Sequence, residues 1–251
     1  MRVERVIVNA DDLGISEAVN DAIFELIARR RVTSATVMAN GPAFRHAVSG
    51  IKHFSRCSFG AHLNLTQFEP LRAGRGAALL TVASGCMSRN LGGQRFGPRL
   101  LAASYRELCA QIELLGTTGI HISHLDSHHH IHTRPELLPV MKALQRRYRI
   151  RKVRISKNIY TLRQPVSPAL ARKKTAYNWA LRNFYATRTT DGFTELLSYR
   201  EQLARGAHHF RSVELMVHPG APYATQETAV LEADWLNSSG LGAGLISYHE
   251  L

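Results

Sequence analysis

Short runs rich in Val and Ile alternate with stretches of helical period along most of this chain, and that alternation most narrows what it can fold into. Residues 3–9 read as a strand that ends at Asp11, Asp12 and Gly14. Ser16 then stands where a helix N-cap belongs, with Glu17 favourably set against the dipole. Ala18, Val19, Ala22, Ile23, Leu26 and Ile27 follow on one helical face. Further strands are expected over 33–38, 59–65, 120–125, 153–155, 213–217 and 244–248. Further helices are expected over 100–115, 135–148, 195–204 and 228–237. Residues 71–98 are glycine-rich and aperiodic, which suggests an ordered excursion or a lid. The stretch to about residue 190 resists assignment.

Strand–helix alternation of this kind predicts a parallel α/β architecture. At 251 residues and 45% hydrophobic content, one barrel domain spanning 1–251 is long enough to bury a large core. Polar residues sharpen the choice between an open sheet and a barrel. Asp11, Asp12, His62, the run from Asp126 to His132, and His218 all fall at the C-terminal ends of expected strands. Both folds place active sites on that edge. Four strand ends feeding one site favour a distorted, TIM-like (β/α) barrel.

No apolar run approaches the roughly 18 to 20 residues that span a bilayer. The first residues lack the long apolar segment of a signal peptide, so a cytoplasmic protein is expected. Cys57, Cys86 and Cys109 are widely spaced and form no zinc-binding pattern. The charge is uneven. Between residues 137 and 190 there are fourteen Lys or Arg and no Asp or Glu, more than the whole chain's excess of +13. The basic region, 142–188, suits an anionic substrate or an acidic membrane surface, with peripheral attachment at the inner membrane face. A solvated basic face without a partner is the bland alternative.

HLDSHHHIH, residues 124–132, holds five of the thirteen histidines. If the preceding strand persists, His124, Asp126, His128, His130 and His132 project to one side and His129 to the other. Five imidazoles cannot all ligate one ion; one or two are expected to, with the rest orienting them or touching substrate. Asp11 and Asp12 are adjacent and can do two jobs at one place, binding a metal and accepting a proton; an Asp turn is the plain reading. His62 and His218 would each pass as structural residues alone. Arg154 either points inward to a carboxylate or is an ordinary surface arginine, and Glu214 is a buried partner or a misjudged face. His208, His209 and His249 read as surface residues. No P-loop, dinucleotide fingerprint or G-x-S-x-G elbow is present.

VNADDLG, VTSATVMANGP, GAHLNLT, residues 123–132 and the late VHPG, in this order, resemble the YdjC-like carbohydrate deacetylase family, which includes chitooligosaccharide deacetylases and hopanoid-associated members. The likeness is good from Arg5 to about Leu144 and resumes near Val213; the basic stretch 146–190 matches loosely, like an insertion. The resemblance implies a distorted (β/α) barrel that removes N-acetyl groups from an amino sugar with one divalent metal ion, Mg²⁺ or Zn²⁺. The sugar would be a mono- or oligosaccharide, or a lipid- or nucleotide-linked glycan. By position, Asp12, His62 and His128 would hold the metal, Asp11 would be the general base and His218 the general acid. Arg154 would orient the base. Asp126, His124, His129, His130 and His132 would be left to support these groups or meet substrate. A metal-dependent phosphoesterase on a similar barrel is the first alternative. A nucleic-acid or anionic-surface binder with a structural metal ranks lower, since it leaves Asp11, Asp12, His62 and His218 without a purpose. A homodimer is allowed.

Overall fold

The computed structural model describes residues 3–89, 91, 95–161, 164–205, 210–233, 235 and 243–251. Seven parallel strands form its centre: β1 (Arg5–Leu13), β2 (Ser34–Val37), β3 (Ser58–Leu63), β4 (Ile122–Ser127), β5 (Gly192–Glu195), β6 (Ser212–Val217) and β7 (Gly244–Leu245). Around them lie α1 (Glu17–Ala28), α2 (Phe44–Ile51), α3 (Pro98–Thr117), α4 (Leu138–Tyr148), α5 (Pro168–Asn183), α6 (Leu196–Ala204) and α7 (Thr225–Glu232). β2, β3 and β6 are buried at every position, as expected of strands covered by helices on one face and packed side chains on the other. Ser16 caps α1 as its sequence predicts, accepting from the Val19 N–H at 3.2 Å.

The strand order is β4-β3-β2-β1-β6-β5. One edge of β1 is shared: β7 pairs with its start, at Arg5 and Val6, and β2 with its end, from Asn9 onward. The sheet curls, and an irregular segment spans the gap between β4 and β5. Arg154 donates its backbone N–H to Leu125 (3.0 Å), while the Val153 N–H goes to Arg188 (3.2 Å) and the Asn158 N–H to Phe193 (3.3 Å). The expected strand at 153–155 is therefore reduced to single bridges, but it occupies a strand's place in a distorted barrel. The unassigned basic region is barrel wall, supplying this segment, α5 and the approach to β5.

A larger departure concerns the histidine run. β4 ends at Ser127, and residues 128–133 form a kinked 3-10 turn in which His129 and His130 both adopt left-handed backbone, φ 50° and 53°. Strand alternation is lost there, so the expected grouping of His128, His130 and His132 with His124 and Asp126 on one face does not form. His208 and His209 lie outside the described residues. His249 is exposed, as expected. Residues 77–79 form a short 3-10 turn, Thr81 and Met87 bridge, and Glu107 of α3 tethers this region by accepting the Leu71 and Arg72 N–H groups.

Candidate active site

The site starts from an irregularity in β1. Between Ala10 and Leu13 this strand gains one residue on β2, a bulge, and Asp12 takes φ 67°, a left-handed conformation that Asp tolerates better than most residues. The extra residue breaks the period of two, so the carboxylates of Asp11 and Asp12 both open onto the strand mouth. They meet different partners.

Asp12 meets two histidines. Its Oδ1 lies 3.1 Å from His62 Nε2 and 2.8 Å from His128 Nδ1. His62 stands in β3 in register with Asp126 of β4. Its Nδ1 contacts Asp126 Oδ1 at 2.8 Å, while Thr36 of β2 donates to Asp126 Oδ2 at 3.0 Å. His128 is turned by the kink after Ser127, and its Nε2 contacts Gln67 Oε1 at 2.7 Å.

Asp11 meets Arg154. The guanidinium grips both Asp11 oxygens at 2.6 Å, and also touches Asp126 Oδ2 and Glu214 Oε1, each at 2.8 Å. Arg154 is fully buried, so an outward surface arginine is excluded, and Glu214 is a buried partner. Tyr248, from the closing segment, donates to the other Glu214 oxygen at 2.5 Å. Three carboxylates thus share one guanidinium, an arrangement whose desolvation cost is offset only when every lone pair is engaged.

These contacts set the protonation states. Burial favours the neutral acid for Asp11, yet Arg154 outweighs it and holds the carboxyl well below the usual range. Burial acts the same way on Asp12 and loses to its contacts with His128 and His62. Burial opposes charging His62, but Asp126 and Asp12 push it up to about 10. Glu214 is pushed by burial up to about 7, against the pull of Arg154. Burial drives His130 and His132 down to about 3, so both are neutral near pH 7.

Among the described residues two groups of donors could hold a cation: Asp12, His62 and His128, or Asp11, His62 and Asp126, each with ligand atoms within 4.8 Å of one another. The second group is spent. Both Asp11 oxygens are held by Arg154, and both Asp126 oxygens are bonded. In the first group, Asp12 Oδ1 and His62 Nε2 are buried and make no hydrogen bond of good geometry. A carboxylate oxygen and two imidazole nitrogens left facing one another fit a divalent ion. Asp126 on the far side of His62 is placed where it would fix the ring's tautomer if the imidazole took an ion.

The other expected residues disperse. His129 lies against His128 with its ring tilted by 41° (centroids 3.8 Å apart), contacts Thr66 Oγ1 at 2.8 Å and receives Arg89 from the 71–98 excursion at 2.8 Å. His130 sits edge-on to Phe193 at 5.7 Å. His132 bonds Ser127 and the Arg154 carbonyl, and His124 stacks on Tyr248 at 3.6 Å. His218 follows β6, where Pro219 and Gly220 (φ 77°) turn the chain; Glu227 accepts its N–H at 2.5 Å, and Tyr223 lies beside its ring at 5.7 Å. His218 is close enough to Asp11 to act on its charge. Thr36, Gln67 and Tyr248 belong to this centre without having been singled out in the sequence. Asn9, which donates to Asp11 Oδ1 at 2.9 Å, could have been read from the strand's period of two.

Fold and site together define a parallel α/β barrel with a buried Asp–His–Arg centre at the mouth of its strands. The model of YdjC-like proteins matches residues 5–243, and the chain belongs to that family. A carbohydrate deacetylase of Geobacillus stearothermophilus is 33% identical, the alignment covering 97% of this chain and 96% of that one. A carbohydrate deacetylase of Brevibacillus brevis is 37% identical over 58% of this chain and 57% of its own length. A crystal structure described as a candidate cellobiose-phosphate cleavage protein of Enterococcus faecalis shares the fold. Its TM-score is 0.78 at 23% identity, over 99% of this chain and 98% of that one.

Proposed function

We propose that the chain is a metal-dependent carbohydrate N-deacetylase, which hydrolyses the acetamide of an N-acetylated sugar to acetate and a free amine. The observation that carries this reading is the division of labour between two adjacent aspartates: Asp12 faces two imidazoles with an unbonded oxygen, and Asp11 is clamped by Arg154. Its family relatives of like length bear the name of such an activity.

Asp12, His62 and His128 would hold the ion, Mg²⁺ or Zn²⁺, with Asp126 orienting His62. A divalent ion there would supply Lewis acidity, polarising the acetyl carbonyl and lowering the pKa of water from 15.7 toward about 7. Asp11 receives the proton of the attacking water as its oxygen adds to the carbonyl carbon. Arg154 keeps Asp11 ionised and aimed, at the expense of its basicity, so Asp11 can deprotonate only a water that is already acidified. His218 delivers a proton to the sugar nitrogen as the C–N bond breaks. The contact of Arg89 with His129 supports a role for residues 71–89 as a substrate cover. Acetate release from N-acetylated mono- and oligosaccharides, assayed before and after chelation, tests the reading. Activity lost with the metal and regained on adding Mg²⁺ or Zn²⁺ supports it; release of phosphate from phosphorylated sugars instead of acetate would overturn it.

A further inference from the structure

Of the basic residues between 137 and 190 that lie among the described residues, only Arg154 enters the centre. The rest follow from the direction of the helices. All strands are parallel, so the mouth lies at one end of the barrel and the strand starts at the other. α4 and α5 both run back from the mouth to that far end. There the Arg188 N–H meets the Arg151 carbonyl at 2.9 Å, and Arg182, in the last turn of α5, donates to Thr189 and Thr190. Arg149 leaves α4 in left-handed backbone, φ 57°, and turns the chain under the barrel.

Arg146, Arg149, Arg151 and Arg188 therefore gather at the end opposite the site, and all are exposed. Among the described residues none of the four pairs with a carboxylate. Beside them two aromatic side chains stand in solvent. Trp179 is 62% and Phe184 54% exposed, and their rings meet edge-on at 6.4 Å. Ala176 and Arg172, one and two turns before Trp179, are exposed on the same outer face of α5. An aromatic pair left outside the core at the same end as these arginines keeps apolar surface in water. It suits a boundary where rings reach apolar matter while guanidinium groups meet anionic headgroups. The rings stand out on a helix surface, which favours a broad, soft partner.

We propose that the far end of the barrel docks on an acidic lipid surface, with Trp179 and Phe184 entering the headgroup layer and the four arginines lying over it. The attachment is peripheral, since among the described residues no helix is long and apolar enough to cross a membrane. Docked this way, the mouth faces away from the bilayer and stays open to the aqueous side. The basic region then serves location and not substrate charge, and the proposal stands apart from the deacetylase reading.

Co-sedimentation with vesicles of phosphatidylcholine alone, and of phosphatidylcholine with roughly one-third phosphatidylglycerol, tests it. Tryptophan emission is followed alongside; the only other tryptophan, Trp235, is buried, so a shift reports Trp179. The expected result is binding to acidic vesicles only, with a blue shift, and weakening as salt rises. Replacing Arg146, Arg149, Arg151 and Arg188 by Gln should weaken binding at least about tenfold, and Trp179→Ala with Phe184→Ala should weaken co-sedimentation with the acidic vesicles. An unchanged circular dichroism spectrum keeps either variant interpretable. Equal binding to both vesicle types, no effect of the variants, tighter binding of single-stranded RNA through the same arginines, or a dimer sealed over Trp179 would each overturn it.

Discussion

Asp11 and Asp12 are chemically alike and adjacent in the chain, and one inserted residue in β1 gives them different work. Asp11→Asn keeps the shape but leaves Arg154 a weaker partner and removes the proton acceptor. We expect acetate release to fall by at least about 10³-fold with the bound metal retained, measured by initial rates and elemental analysis. His218→Ala should cost roughly 10²- to 10⁴-fold in kcat with little change in metal content. Asp12→Asn and His128→Ala should lose the metal itself. His62 carries a proton between Asp12 and Asp126 up to about pH 10 when no ion is bound, so an incoming ion must displace it. Metal affinity should therefore rise with pH, and calorimetry in buffers of different ionisation heat should show a proton released on binding. Affinity that is flat with pH would contradict this protonation state.

At the scale of elements, the His124 ring of β4 lies over β3 in space that Gly60 leaves open. A Cβ there would sit 2.5 Å from the ring of His124, which is fully buried and stacked on Tyr248. Gly60→Ala should cost about 1–3 kcal/mol, a drop of several degrees in Tm at ~2–4 °C per kcal/mol. A Tm unchanged in a thermal melt would mean that His124 is not held as described. Much of this layer was legible in the sequence. β1, β6, α1 and α3 announce themselves by β-branched runs or helical period, and the polar residues at strand ends point to one mouth. The kink after Ser127 was not legible, because two consecutive histidines in left-handed backbone violate the usual preference and are held by tertiary contacts. α5 hid its period: its buried face is narrow, Tyr177, Asn178 and Leu181, and its outer face carries the exposed Trp179. The sharing of Arg154 among three carboxylates is a long-range fact that no local pattern encodes.

The whole molecule balances buried carboxylates against pH. Glu227, in α7, is pushed by burial up to about 7, above the usual carboxylate range, although it accepts the His218 N–H. The folded protein then binds this proton more tightly than the unfolded chain does. Its contribution is full at low pH and is lost as pH rises through about 7. Between pH 5 and 8 the wild type should lose stability for this reason, and Glu227→Gln should flatten the slope in chelator-treated protein, read from urea midpoints. The same slope in both proteins would remove Glu227 as its source. The central claim is that Asp12, His62 and His128 hold an ion while Asp11 does the proton chemistry. It is tested most directly by measuring metal content and acetate release together in Asp11→Asn and Asp12→Asn. The first should keep its metal and lose turnover, and the second should lose both. Wild-type acetate release from Asp11→Asn, or full metal content in Asp12→Asn, would contradict it.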